Sequence, residues 1–398
     1  MKRIILHCDL NNFYASVECM KDPTLWSVPL AVCGSREERR GIVLAKNEKA
    51  KAFGVKTGEA VWEAKKKCPA LVTVPPDMRS YVFWSKEVKH IYENYTDIVE
   101  PFGIDECWLD MSGSAHLFGG GTRAAYMIKE EVKARTGLTI SCGVSFNKVF
   151  AKLGSDLKKP DAVTVIAPED WENTVYPLPA SALMGVGRST YNKLSSRGIF
   201  TIGDIARSGE AFMRSLLGKN GLWLLRAARG LDAARVISGE YMPRPKSIGR
   251  GATYPHDIIK PSEIRALLLK LSHEVARKLR AEHFFAGAVQ LEIKRTDFSK
   301  HEYSVQLKFF TQTAYDIWKC ALELFFMRHD IMAFPVRALS VRACDLREEN
   351  APRQLSLFDD AKLMQKHERA ERAMDIINGK YGKNTIQVAS CKFDPVRI

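Results

Sequence analysis

Two acidic patches, far apart in the chain, are the groups with the most chemistry in them. Asp9 closes the apolar run Ile4-Ile5-Leu6 and precedes Asn11-Asn12-Phe13-Tyr14-Ala15-Ser16-Val17-Glu18. The second patch is Gly103-Ile104-Asp105-Glu106-Cys107-Trp108-Leu109-Asp110. Both place carboxylates on segments that otherwise read as buried strand, where a carboxylate is costly unless it is paired or binds a cation. Three such groups converging would form an all-oxygen site suited to Mg²⁺, the apparatus of two-metal phosphoryl transfer. Taken singly, Asp9 reads as a turn or capping residue, and Asp105-Glu106 as a solvent-facing hairpin tip. Adjacent strand positions alternate faces, so Asp105 and Glu106 share a target only if the strand bends. Gly103 can supply that bend.

The elements around these residues are legible from periodicity. Residues 3–9 read as a buried strand, and Asn11 or Asn12 as the cap of the helix after it. Strands follow at 30–34 and 41–45, then a Lys-rich helix at 46–53 that stops at Gly54. A long amphipathic helix spans 78–97, with Tyr81, Trp84, Val88, Ile91, Tyr92 and Tyr95 at helical spacing. A hairpin (98–102 and 104–111), a helix (123–136), a strand (139–145) and a basic helix (147–157) come next. The pattern predicts a mixed sheet with helices on one face, and residues 19–77 as a small satellite domain. Residues 168–235 read as short helices with Gly-rich turns, and 236–246 as a linker. Strands at 287–295, 302–310 and 338–344 alternate with helices at 261–282 and 313–328 in a second α+β unit. A charged helix is expected at 361–378.

The chain has 398 residues, enough for several domains, and 46% of them are hydrophobic, which excludes wholesale disorder. Its net charge of +14 suits a polyanionic partner, although a solvated basic surface accounts for charge alone nearly as well. Nine cysteines without a CxxC pair fit a reducing cytoplasm. No apolar run approaches a membrane span, and the basic start is cut short at Asp9, too soon for a signal peptide.

These motifs resemble the Y-family of translesion DNA polymerases, of the bacterial DinB and UmuC type. The resemblance runs the length of the chain. It is carried by Asp9 with Phe13-Tyr14-Ala15-Ser16-Val17-Glu18, by Ile104-Asp105-Glu106-Cys107-Trp108-Leu109-Asp110, by Gly143-Val144-Ser145-Phe146-Asn147-Lys148 through Leu153-Gly154-Ser155, and by Lys158-Lys159-Pro160-Asp161. It implies an α+β, right-hand polymerase with a ferredoxin-like palm (1–18 and 77–166), small fingers (19–76), a helical thumb (167–235), a linker (236–246), an α+β little finger (247–345) and a tail (346–398). It implies catalytic Asp9, Asp105 and Glu106, which with the Leu10 carbonyl hold two Mg²⁺ ions between a deoxynucleoside triphosphate and the primer 3′-hydroxyl. Tyr14 matches the steric gate, a rigid ring that leaves no room for a 2′-hydroxyl; otherwise it is a core tyrosine. Phe13, Lys51 and Lys159 align with nucleotide contacts. Lys51 stands where the family has an arginine, keeping charge but losing the bidentate fork. Glu48 stands where it has a phosphate-contacting tyrosine; an acid there would repel phosphate, and Lys46 or Lys49 could take over the contact. Gly103 replaces the usual serine. The segment Ile376–Thr385 leans toward the UmuC type.

Leu183-Met184-Gly185-Val186-Gly187-Arg188 with Lys193 reads as a helix–hairpin–helix, whose glycines let backbone N–H groups reach a phosphate. Lys246 and Arg250 open the last α+β unit like a strand lying along DNA. Lys294, Arg295 and Arg342 are expected beside them on one sheet face. In the tail, Gln354-Leu355-Ser356-Leu357-Phe358 resembles the peptide by which bacterial proteins dock on the sliding clamp, Leu357 and Phe358 filling an apolar pocket. The whole implies a monomeric, cytoplasmic, template-directed DNA polymerase acting on primed DNA. The competing reading is a catalytically silent, clamp-tethered adaptor.

Overall fold

The computed structural model describes residues 3–35, 39, 41–238, 244–351, 361–382 and 385–389. The chain forms two compact units, Met1–Gly34 with Ile42–Met242, and Ser35–Gly41 with Pro243–Ile398. The first opens with the wholly buried strand β1 (Ile5–Leu10) and helix α1 (Phe13–Lys21). Strands β2 (Leu30–Cys33) and β3 (Val43–Lys46), helices α2 (Glu48–Ala52) and α3 (Val61–Lys67), and β4 (Val72–Val74) follow. They make a three-stranded sheet, β3-β2-β4, packed through small side chains such as Ala31, Ala50 and Ala64.

Next come α4 (Met78–Glu93), β5 (Val99–Phe102), β6 (Glu106–Asp110), α5 (Gly121–Thr136), β7 (Ile140–Ser145), α6 (Lys148–Leu157) and β8 (Val163–Val165). Four of these strands join β1 in the order β5-β6-β1-β7-β8, antiparallel except for β7–β8. Strand alternation divides β1. Leu6, Cys8 and Leu10 enter a core shared with Tyr81, Val88 and Ile91 of α4 and Ala124, Ile128 and Val132 of α5. Ile5, His7 and Asp9 face the other way, where α6 lies: Ile5 packs with Ala151, and His7 bonds Ser155. Helices therefore cover both faces of the sheet, not one as expected. The close approach of α6 needs Gly143, the β7 partner of His7, because a Cβ there would collide with the Ala151 carbonyl oxygen.

Side chains cap the helix starts at Asn47, Asp77 and Asn147, accepting from Ala50, Ser80 and Phe150 N–H. Asn12 is the exception. It occupies the cap position of α1 in the left-handed region, φ 51°, and its side chain does not cap. The unit ends in short helices, α7 (Trp171–Val175), α8 (Arg188–Ser195), α9 (Ile202–Arg207), α10 (Glu210–Leu217) and α11 (Lys219–Ala228), around Leu183, Ile202, Ile205 and Leu224.

The second unit contains β9 (Ser247–Ile258), α12 (Pro261–Ala281), β10 (Phe284–Arg295), β11 (Lys300–Thr311), α13 (Ala314–Arg328), β12 (Val336–Glu348) and α14 (Ala361–Tyr381). Its antiparallel sheet runs β11-β10-β12-β9, with Leu291, Ile293 and Val341 packed against Leu271, Val275 and Phe325 of the helices. Helix α14 is pinned to this unit by charge. Buried Arg280 bonds Glu371, Asp375 (2.6 Å) and the Gln312 carbonyl (2.9 Å), and Glu371 accepts the Ala314 N–H that opens α13 (2.9 Å). No described helix is long and apolar enough to cross a membrane.

Candidate active site and nucleic-acid interface

The β1–β6 register places Asp9 opposite Glu106, so both side chains leave the same face at the same end of the sheet. Asp105 is the last residue of the turn at 103–105, which Gly103 opens at φ 85°. It stands outside the strand and escapes the alternation that would have turned it away from Glu106. Its carbonyl accepts the Leu10 N–H at 3.0 Å, tying the turn to the end of β1. Asp9 and Glu106, distant in sequence, are thus set side by side, and Asp105 lies within reach of the Asp9 charge.

Lysines answer their charge. Lys159 Nζ lies 2.6 Å from Asp9 Oδ2 and 2.8 Å from Asp156 Oδ1. Lys152 bonds Glu106, and His7 Nε2 lies 2.9 Å from the same Glu106 oxygen. His7 Nδ1 is 2.7 Å from the Ser155 hydroxyl, which donates to the Lys152 carbonyl at 2.8 Å. Burial pushes the Asp9 carboxyl up, outweighing the pull of Lys159. Burial and then the Asp9 charge push Asp105 up as well. Burial would also raise Glu106, but its hydrogen bonds to His7 and Lys152 and the Lys152 charge hold it at about 2. Among the described residues no group of three or more acidic, His or Cys side chains already stands in metal-holding geometry.

Tyr14, the second residue of α1, is half-buried. Its ring stacks on Tyr81, centroids 4.2 Å apart and 9° from parallel, and Tyr81 donates to Glu18 at 2.6 Å. Burial and the Asp105 charge raise its hydroxyl pKa, so the ring lies within electrostatic reach of the carboxylates. The Phe13 side chain is a core residue, 3% exposed, so a nucleotide contact at this position would be made by backbone at the start of α1. Asn11 and Asn12 tie two further segments to β1. Asn11 Oδ1 accepts the Asp161 N–H (2.9 Å), fixing the loop that carries Lys159; Asn12 Nδ2 donates to Glu48 Oε1 (3.0 Å) on the helix that carries Lys51. Lys49, considered as a phosphate contact, instead donates to the Ser27 carbonyl at 2.7 Å, and Lys46 donates to Thr57 at 3.2 Å.

His7 and Lys152 were not singled out from the sequence, and Asn11 and Asn12 only as candidate helix caps. A signal for the first two existed: His7 and Asp9 share strand parity in an otherwise apolar run, and Lys148, Lys152 and Asp156 follow at helical i,i+4 spacing.

In the helical part, Gly185 has φ 89°, and a Cβ on it would press on Trp223 at 2.8 Å. Gly187 caps α8, whose exposed surface carries Lys193. The element before this hairpin is only a single 3₁₀ turn, Ala180–Ala182. In the second unit, the expectation of one cationic sheet face holds for two residues. Arg342 pairs with Gly249 and Gln290, and Lys294 shares the parity of Gln290, on the face away from the helices. Arg250 pairs with buried Val341 and has the opposite parity; it is exposed because β9 is an edge strand. Arg295 falls beyond a register shift and stacks over Phe334 at 3.9 Å. Lys246 is exposed just before β9. The outer face also carries Glu292, paired with Lys300 at 3.0 Å, so it is mixed in charge. Gln354, Leu355, Leu357 and Phe358 lie outside the described residues.

Residues 8–156 match the model of the impB/mucB/samB family, and residues 245–357 match that of the impB/mucB/samB family C-terminal domain. DNA polymerase IV of Acetivibrio thermocellus is 46% identical over 387 residues, 97% of each chain. DNA polymerase IV 1 of Bacillus subtilis is 36% identical over 389 residues, 97% of this chain and 92% of its own. Among solved structures, a Y-family DNA polymerase chimera of Dbh and Dpo4 aligns with TM-score 0.75 at 23% identity, over 86% of this chain and 99% of its own. DinB from Sulfolobus solfataricus aligns with TM-score 0.57 at 24% identity, over 86% and 98%. These two are likenesses of fold, and they agree with an α+β multidomain polymerase. The relatives correct the lean toward UmuC: residues 376–381 of the segment behind it are the end of α14, held on the second unit by Glu371 and Asp375. The chain belongs to the impB/mucB/samB family, as a DinB-like member of the Y-family DNA polymerases.

Proposed function

We propose that this polymerase extends a primer at the Asp9–Asp105–Glu106 cluster, with two Mg²⁺ ions held by these carboxylates and the Leu10 carbonyl. The observation that carries the reading is the β1–β6 register, which sets Asp9 against Glu106 beside the Asp105 turn. The donors are all hard oxygens, the set Mg²⁺ takes. Asp9 and Asp105 are both raised by burial, and Asp9 and Lys159 form an ion pair that a divalent cation could replace. Cations bound there would lower the pKa of the primer 3′-hydroxyl and offset charge on the leaving pyrophosphate.

The chain's own residues do the rest. Lys159, released from Asp9, meets triphosphate oxygens, and Lys51 offers a second ammonium from α2. Tyr14, braced on Tyr81, fills the space a 2′-hydroxyl would need. We assign the palm to 1–18 and 77–166, the fingers to 19–76, the thumb to 167–235 and the little finger to 247–345. The fingers core is built from small side chains, which suits a roomy site tolerant of lesions. Gly185, Gly187 and Lys193 hold duplex backbone, as do Lys246, Arg250, Lys294, Arg295 and Arg342. Gln354, Leu355, Leu357 and Phe358 dock on the sliding clamp.

Incubation with primed template, Mg²⁺ and deoxynucleotides tests this. Extension that Asp105→Asn abolishes is expected. Intact primer would favour the adaptor, and shortened primer a nuclease.

A further inference from the structure

The side chain of Asn12 is turned to another use than capping. Its Nδ2 donates to Glu48 Oε1 at 3.0 Å, and the same oxygen lies 3.4 Å from Lys51 Nζ. Glu48 and Lys51 are about equally exposed, 45% and 50%, so both are open to a ligand in solution. The remaining lysine of α2, Lys49, is committed to the Ser27 carbonyl. The ammonium that α2 offers beside the end of β1 is therefore Lys51, and a carboxylate already answers it.

We propose that Glu48 sets the affinity of the site for the incoming nucleoside triphosphate by competing with it for Lys51. The inference rests on the proposed function, in which Lys51 meets the triphosphate. An arriving polyanion must take the ammonium from Glu48 and then remain next to a like charge. Asn12, a neutral donor, keeps that carboxylate in place. The penalty applies equally to bound substrate and transition state, so it enters KM and leaves kcat unchanged. It also acts on the triphosphate common to all four nucleotides and carries no base preference.

The variant Glu48→Gln removes the charge and keeps an oxygen for Asn12. Single-nucleotide incorporation by the full chain on a primer–template gives KM and kcat, and equilibrium binding of a non-hydrolysable deoxynucleoside triphosphate to the same complex gives Kd. For an exposed pair, Glu48→Gln is expected to lower KM and Kd by about fivefold at low salt, with kcat within about twofold. In a Lys51→Ala background, where only the like-charge repulsion is left to relieve, the same change should lower KM and Kd by no more than about twofold. Unchanged or raised KM and Kd in Glu48→Gln overturn the inference, as does a fivefold fall that persists without Lys51. Wild-type protein that fails to extend the primer overturns the parent reading and this one with it. An active wild type with an indifferent Glu48→Gln overturns only this one.

Discussion

Glu106 and Asp105 are neighbours in one site, yet removing the Glu106 charge should lower stability while removing the Asp105 charge should not. Glu106 is held at about 2 from an ordinary 4.5 by His7 and Lys152. Its ionised form is thus favoured by folding. That contribution is present above pH 4.5 and is lost as pH falls toward 2. The raw linkage is about 3 kcal/mol. A fifth of the side chain reaches solvent, which reduces the figure to about 1–2 kcal/mol. Asp105 is raised by burial and by Asp9, so its ionised form is disfavoured by folding, and the penalty grows as pH rises past the ordinary carboxylate value. In thermal melts without divalent metal at neutral pH, Glu106→Gln should lower the Tm of the first unit by roughly 3–6 °C. Asp105→Asn should leave it unchanged or raise it. The Glu106→Gln deficit should shrink as pH is taken below 4.5. Equal losses from both variants, or a Glu106→Gln protein as stable as wild type, would refute the electrostatic account of the site.

Two other outcomes follow from the geometry and a third from the tail sequence. Tyr14→Ala removes the ring that stacks on Tyr81 and should admit ribonucleotides, read as extension with ribonucleoside triphosphates, at a stability loss of about 1 kcal/mol. Gly143→Ala drives a methyl group into the backbone of α6 at Ala151 and Ser155; it should cost about 3 kcal/mol in a urea titration and displace Lys152 from Glu106. Deleting residues 354–358 should leave distributive synthesis intact and abolish stimulation by the sliding clamp, measured as product length with and without clamp.

Much of the architecture was legible because strands and helices differ in hydrophobic period. The boundaries of β1, β7, α5, α12 and α13 fall within a few residues of those read from pattern alone. Asp9, Asp105 and Glu106 stood out because carboxylates on apolar strands need a partner. What pattern did not reveal was the partner. Lys159 reaches Asp9, and Lys152 reaches Glu106, across contacts that only the folded sheet creates. The same holds for register. Arg342 and Arg250 looked equivalent, but pairing Arg342 with Gly249 puts Arg250 on the other parity, and no local feature of either strand fixes that alignment. Asn12 had the right residue type for a cap; a tertiary bond to Glu48 and a left-handed backbone won over local propensity. Helices on both faces were missed because Gly143 looked like strand sequence, and its role in admitting α6 depends on which residue it opposes.

The most direct test of the carboxylate site is to count Mn²⁺, by electron paramagnetic resonance, in the complex of the full chain with a dideoxy-terminated primer–template and the next deoxynucleotide. The account predicts two ions per protein, and fewer in Asp9→Asn. No bound ion, or a count that Asp9→Asn leaves unchanged, would contradict it.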